Sequence, residues 1–205
     1  MNRRSSIIGL MARMAMAAAV GLVVTASVQA ATWDLDPAHS SATFKVKHLM
    51  ISNVTGGFGK VTGVVNYDPA DLSKTTVEAT IETTSLDSGV EGRDKHLKSP
   101  DFLDVEKFPS ITFKSKKVEK AGDGRLKVTG DLTIRGVTKE VVLDVEGPMP
   151  EIKDPWGNVK SGASATTKIN RQDFGVSWSK TLDGGGLVVS DEVTINIDVE
   201  MVKKK

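Results

Sequence analysis

Residues 40–48 read SSATFKVKH, and the alternation within this stretch decides the fold. Ala42, Phe44, Val46 and His48 occupy alternate positions, and threonine and lysines occupy the positions between them. Successive side chains of a β-strand point to opposite faces of the sheet, so this pattern predicts a strand with one buried face and one solvated face.

The same period of two returns along most of the chain and predicts about eight strands in total. The other inward-facing sets are Val61, Val65 and Tyr67; Val77, Ala79, Ile81 and Thr83; Ile111 and Phe113; Leu126, Val128, Gly130, Leu132 and Ile134; Val141, Leu143 and Val145; Ala163, Ala165, Thr167 and Ile169; and Val193, Ile195, Ile197, Val199 and Met201. One-sided strands must share a single interior, so they close into a barrel or stack as a sandwich. Closure removes unpaired edges, and eight strands make about the smallest barrel that holds one ligand.

Residues 85–113, SLDSGVEGRDKHLKSPDFLDVEKFPSITF, interrupt the β pattern. Glycines and prolines break the alternation, and we expect a short helical segment around residues 88–106. Ser99 can cap free backbone N–H groups and Pro100 suits the first helical position, so one turn of helix is expected over residues 100–104. Basic and aromatic side chains crowd this segment, which favours a lid or a cavity mouth.

The first 30 residues predict a secretory signal peptide. Arg3 and Arg4 precede an apolar run over residues 14–24, and small residues lead to the expected cleavage after Ala30. An uncleaved anchor is the alternative, although the run is shorter than the roughly 20 residues that a membrane span needs. We therefore expect residues 31–205 to be one soluble periplasmic domain without stable membrane insertion.

Charge and cysteine content exclude several classes of function. Removal of residues 1–30 leaves 24 of the 27 basic residues against 26 acidic ones, a net charge of about −2. A near-neutral, well-mixed surface has no electrostatic footprint for nucleic acid. The absence of cysteine excludes disulfides, thiolate metal sites, cysteine catalysis and the acylation of a bacterial lipoprotein.

The sequence offers little support for a metal site or for catalysis. His39, His48 and His96 lack metal-ligand spacing, so no metal is expected. His48 ends an inward-facing set, where it is a hydrogen-bonded core residue or a ligand contact. No nucleophile elbow, phosphate loop or dinucleotide fingerprint occurs, and no acid–base pair stands out, so we expect no enzyme.

Four elements in order resemble the YceI family of secreted bacterial proteins. They are ATFKVKHL at 42–49; RDKHL at 93–97 with Phe102-Leu103 and Phe108-Pro109; GDLTIRGVTK at 130–139; and NRQDFG at 170–175. The resemblance implies an all-β fold, an eight-stranded antiparallel lipocalin-like barrel, that carries, stores or transports a polyisoprenoid such as an isoprenoid quinone precursor and needs no cofactor. An enzyme acting on such lipids and a stress-linked secreted lipid-binding protein are the alternatives, and the protein is a monomer or a homodimer.

A prenyl lipid needs an apolar sheath for its tail and a few polar groups for its head. The predicted sheath consists of Phe44, Val46, Val65, Tyr67, Ile111 and Phe113, with the small Ala163 and Ala165 leaving room for the tail. Arg93 and His96 lie three apart and share a helix face, so with His48 they are the predicted head-group contacts. In the other interpretation, Arg93 and Asp94 pair with neighbours and fix the lid. A fully packed core is the alternative to the cavity.

Overall fold

The computed structural model describes residues 30–205, so the predicted signal peptide lies, apart from Ala30, outside the described residues. The strands are β1 Ala31–Leu35, β2 Ser41–His48, β3 Ser52–Phe58, β4 Val61–Tyr67, β5 Thr76–Glu82, β6 Leu86–Asp87, β7 Ser110–Lys120, β8 Arg125–Ile134, β9 Val137–Glu146, β10 Ile152–Lys153, β11 Val159–Asn170 and β12 Val189–Lys203. Helix α1 spans Glu91–Lys98, and short 3-10 helices span Leu72–Lys74, Thr83–Ser85 and Arg171–Phe174.

Eight of the strands in residues 30–205 form a closed antiparallel ring, which confirms the barrel and excludes the sandwich. The order around the ring is β1, β4, β5, β7, β8, β9, β11 and β12, and β12 pairs with β1 to close it. The predicted alternation holds: in β2, Ala42 is buried while Thr43, Lys45 and Lys47 are exposed.

The remaining strands extend this wall. Strand β12 pairs with β1 over Met201 to Lys203 and with β2 over Val189 to Asp198, so β1 and β2 follow each other along the same edge. Strand β3 pairs with β2, β6 pairs with β3, and β10 forms a hairpin with β11. Within residues 30–205, no helix has the length and apolar character that a membrane crossing requires.

The short helix is present, but its predicted start is wrong. Helix α1 ends at Lys98, and residues 100–103 form turns rather than a helix. Ser99 adopts an extended conformation with ψ of 170°, as residues before proline prefer, and its hydroxyl donates to the His96 carbonyl at 2.8 Å. Ser99-Pro100 therefore terminates α1 instead of starting a helix.

Four polar side chains, those of Asp36, His39, Lys160 and Glu200, tie the end of β1 to β11 and β12. Lys160 Nζ lies 3.2 Å from Asp36 Oδ2 and 2.5 Å from Glu200 Oε1, and His39 Nδ1 lies 2.9 Å from Asp36 Oδ2. The hydrogen bond with His39 and smaller contributions from Ala38 N–H and Lys160 lower the pKa of Asp36 from 3.8 to about 2. Asp36, His39 and Glu200 are close enough to ligate an ion, but the Lys160 ammonium group already contacts both carboxylates.

The ionisation of Asp36 is expected to make the stability of the protein depend on pH. Because the pKa of Asp36 is lower in the folded state, its contribution is present above about pH 4 and is lost as the pH falls toward about 2. We expect Asp36→Asn to lower the free energy of unfolding at neutral pH by about 1–3 kcal/mol, the scale of a hydrogen bond to a charged group. The variant should lose less stability than the wild type on acidification, as measured by urea unfolding.

Asp34→Asn is the matched control. Asp34 pairs with Lys204 at 3.0 Å, but both side chains are about half exposed, and such pairs contribute little. If the free energy of unfolding of Asp36→Asn and of the wild type changed identically with pH, the assignment of this pH dependence to Asp36 would be wrong.

Candidate ligand-binding cavity

The barrel encloses a cavity of about 970 Å³ instead of a fully packed core. Inward-facing side chains of the ring strands and of β2 form its wall, and most of them are apolar. Most of the wall is apolar, so it offers water few hydrogen-bond partners.

All eight residues predicted for the sheath line this cavity. They are Phe44, Val46, Val65, Tyr67, Ile111, Phe113, Ala163 and Ala165. Their contact with a lipid stays a prediction. The cavity wall also includes Trp33 and Leu35 of β1 and the inward residues of β12, which were not among the predicted site residues. The alternation of apolar residues in β12 could have predicted its inward residues, Val193 to Val199, as part of the wall.

Two glycines make space for the aromatic rings of the wall. A Cβ atom on Gly56 would lie 2.5 Å from the ring of Phe44, its partner across β2 and β3. A Cβ atom on Gly130 would lie 2.5 Å from the ring of Phe113. Both distances are far shorter than van der Waals contact, so these rings occupy their positions because the facing residue has no side chain.

An aromatic cluster covers the end of the cavity next to α1. Leu97 of α1, Phe102 and Leu103 line the cavity there. The Phe102 and Trp178 rings lie 5.3 Å apart, and the His96 ring packs edge-on at 5.0 Å from Phe102 and 5.3 Å from Trp178. Arg135 fixes this cover by donating from Nη1 to the Phe102 carbonyl at 2.6 Å.

Arg171 is buried at the same end, and its hydrogen bonds are internal. Its Nη1 donates to the carbonyls of Val176 and Trp178, Nη2 donates to the Val189 carbonyl and the Asp191 carboxylate, and Nε donates to the Ser190 carbonyl. Burial lowers the pKa of Arg171, and Asp191 opposes this effect. Because these bonds use all five N–H groups, Arg171 organises the loop after β11 and has no donor left for a ligand.

The three residues predicted for the head group are not part of the cavity wall. Within the described chain, the cavity lining does not include His48, Arg93 or His96. Arg93 donates from Nε to Ser88 Oγ at 2.8 Å and from Nη2 to the Ser88 carbonyl at 2.6 Å. His96 Nε2 lies 2.9 Å from Asp101 Oδ2, and His48 is half-buried at the end of β2. Asp94 accepts from Ser88 N–H at 2.8 Å, so Arg93 and Asp94 both hold Ser88.

Tyr67 brings a hydroxyl to the cavity wall near the other end of the barrel. It is half-buried, and burial raises the pKa of its phenol above 10.0. Nearby polar groups of the wall are bonded within the protein: Thr75 Oγ1 accepts from Asp68 N–H, and Ser161 Oγ donates to the Met149 carbonyl. Among the side-chain hydrogen bonds of residues 30–205, none involves Tyr67, so its hydroxyl can donate to a ligand.

Comparisons with known proteins agree with this geometry. The family model described as YceI-like domain matches residues 33–201. A UPF0312 protein of Vibrio cholerae is 41% identical over 192 residues, covering 91% of this chain and 97% of its own length. The crystal structure of the Campylobacter jejuni YceI protein has a TM-score of 0.64 and 38% identity, covering 78% of this chain and 90% of that one.

A more distant solved structure has the same fold. It is described as a polyisoprenoid binding domain from Saccharophagus degradans implicated in plant cell wall breakdown. Its TM-score is 0.60 at 14% identity, over 84% of this chain and 98% of that one.

Tyr67 is the only tyrosine of the chain, so its ionisation can be followed directly. We expect tyrosinate absorbance of the folded protein to rise at a higher pH than in urea, because the cavity wall disfavours the charged phenolate. Folded stability should accordingly fall as the pH rises above about 10. Tyr67→Phe, which has no phenol group, supplies the baseline absorbance. Equal midpoints in the folded and unfolded protein would show that the hydroxyl lies in bulk water.

Proposed function

The chain belongs to the YceI-like domain family, and from that premise we propose that it binds a long-chain polyisoprenoid non-covalently inside the barrel. The observation that carries the proposal is the cavity of about 970 Å³ with an apolar wall. Each buried CH₂ group contributes about 0.8 kcal/mol, so a flexible prenyl chain gains several kcal/mol from every few carbons enclosed. A small polar metabolite would gain nothing comparable from this wall.

A solved structure with this fold is described by its class of ligand. The Saccharophagus degradans domain with this fold is described as binding polyisoprenoid. At 14% identity that likeness concerns the fold alone, so the ligand of this chain is argued from its own cavity. The lipid is an isoprenoid quinone precursor or a similar molecule, and the protein transports or stores it.

The proposed place of action is the periplasm. Its support is the sequence of residues 1–30, with a basic start, an apolar run and a small-residue cleavage site. A carrier in a compartment between two membranes meets lipid on both sides. A stress-linked role for a secreted protein with the same ligand is compatible with the same cavity.

The proposed activity is binding rather than catalysis. Arg171, the buried cation at the cavity wall, has all five donors in internal hydrogen bonds and holds a loop. A hydrolase acting on isoprenoid lipids would return products of altered mass, and an isomerase would return a product of equal mass but different chromatographic retention. Recovery of an added lipid with unchanged mass and unchanged retention time therefore separates binding from catalysis.

A cavity-filling substitution tests the proposal. Ala165 faces the cavity, and Thr166, next to it on β11, faces solvent. We expect Ala165→Trp to weaken retention of solanesol, a polyprenol, by at least about tenfold, because displacing two CH₂ groups already costs about 1.6 kcal/mol. Retention is measured by loading from detergent, gel filtration and mass spectrometry of the bound lipid.

Thr166→Trp is the matched control, since it adds the same ring to the outer face. We expect wild-type retention for this variant. Equal retention by Ala165→Trp and Thr166→Trp would contradict binding inside the barrel, and failure of the wild type to retain solanesol would contradict the proposed function itself.

Head-group binding by His48, Arg93 and His96 stays a prediction, and substitution separates it from the lid-fixing role. If the guanidinium of Arg93 contacts a head group, Arg93→Ala weakens lipid retention at an unchanged melting temperature. The two hydrogen bonds from Arg93 to Ser88 favour the lid-fixing role. We therefore expect Arg93→Ala to lower the melting temperature by several degrees, on the scale of about 1–3 kcal/mol, with lipid still bound to the folded fraction. His96→Ala is compared in the same assays.

A further inference from the structure

The barrel end opposite α1 carries an exposed apolar patch, and we propose that this patch docks the protein on a lipid bilayer. The patch consists of Met149, Ile152 and Trp156, in the segment that joins β9 to β11. The inference rests on the proposed function, because a lipid that water rejects has to enter the cavity from a bilayer. Peripheral docking needs no membrane-spanning element.

The patch is continuous with the cavity. Met149, Pro150 and Glu151 line the cavity and are also exposed to solvent, so the interior reaches the surface beside them. The opposite end is covered by the cluster of Phe102, Trp178 and His96. A lipid that leaves a bilayer under the patch therefore has a direct path into the barrel.

The exposure of these side chains is unusual for their chemistry. Trp156 is 82% exposed, Ile152 63% and Met149 44%. Tryptophan is enriched at the level of lipid head groups, where its ring is apolar and its N–H remains hydrated. Adjacent aliphatic side chains add the apolar area that holds a peripheral protein in the interface.

The turn that presents Trp156 is held by its own hydrogen bonds. Asp154 Oδ1 accepts from the backbone N–H groups of Trp156 at 2.9 Å and Asn158 at 2.8 Å, and Asn158 Nδ2 donates to Asp154 Oδ2 at 2.9 Å. The turn projects the indole outward in the free protein. Docking therefore does not require this turn to become ordered first.

Charged side chains of both signs flank the patch. Lys153 follows Ile152, and Glu151 and Asp154 lie beside them in the chain. Lys203 Nζ lies 2.9 Å from Glu151 Oε1, so this ion pair leaves little net charge at the barrel end. Docking therefore depends on the apolar side chains, and Lys153 can contact anionic head groups beside them.

The test compares two double substitutions on opposite ends of the barrel. The patch variant carries Ile152→Ser and Trp156→Ser. The control carries Met50→Ser and Ile51→Ser at the β2–β3 turn, where Ile51 is 81% exposed but neither residue lines the cavity. Each protein is assayed for co-sedimentation with phosphatidylethanolamine–phosphatidylglycerol vesicles, for uptake of solanesol from those vesicles and for retention of solanesol loaded from detergent.

We expect the patch variant to lose at least about tenfold in vesicle binding and in the rate of uptake, because both apolar anchors are gone. Its retention of detergent-loaded solanesol should stay at the wild-type level, and the control should match the wild type throughout. Melting temperatures verify that these exposed substitutions leave the fold intact.

Two results would overturn the docking site. One is equal vesicle binding by the patch variant, the control and the wild type. The other is a wild-type dimer that does not bind vesicles and that the patch substitutions dissociate, since this would assign the patch to a second copy of the chain. Failure of the wild type to retain solanesol would instead contradict the proposed function. Co-sedimentation with vesicles would still test docking in that case.

Discussion

Closure of the sheet through β12 is the constraint on which the rest of the structure depends. This strand pairs with β11 along one edge and with β1 and β2 along the other, so the wall has no free edge where the ring meets. A ring of eight strands has an interior that side chains can fill only if they are large. Here several inward positions carry small side chains, including Ala79, Ala163 and Ala165, and the interior remains open.

The two ends of the barrel are built differently, and the difference gives the cavity a direction. Beside α1, the Phe102 and Trp178 rings form a cover, and the internally bonded Arg171 holds the loop behind it. At the other end, Met149 to Glu151 belong to both the wall and the surface. The segment of residues 85–113, predicted as a lid or a mouth, therefore acts as a cover in this structure, and Tyr67 belongs to the cavity wall.

Strand faces could be predicted from the sequence because the period of two depends only on backbone geometry. Features that depend on residues far apart could not. The five hydrogen bonds of Arg171 reach residues 176–191, and the space for the Phe44 ring exists because Gly56 faces it across the sheet. Ser99-Pro100 was misplaced because the same pair of residues can start a helix or end one. The helical spacing of Arg93 and His96 was right, but it carried no information about Ser88 or Asp101, which those side chains contact.

The proposed occupant of the barrel interior is a prenyl lipid. Native mass spectrometry of the protein, purified without detergent from the cells that produce it, examines this directly. We expect a mass above that of the chain alone, with the difference released as an intact polyisoprenoid on organic extraction and restored when a polyprenyl lipid is added back. A homogeneous mass equal to the chain alone, unchanged after incubation with solanesol or a ubiquinone analogue, would contradict it.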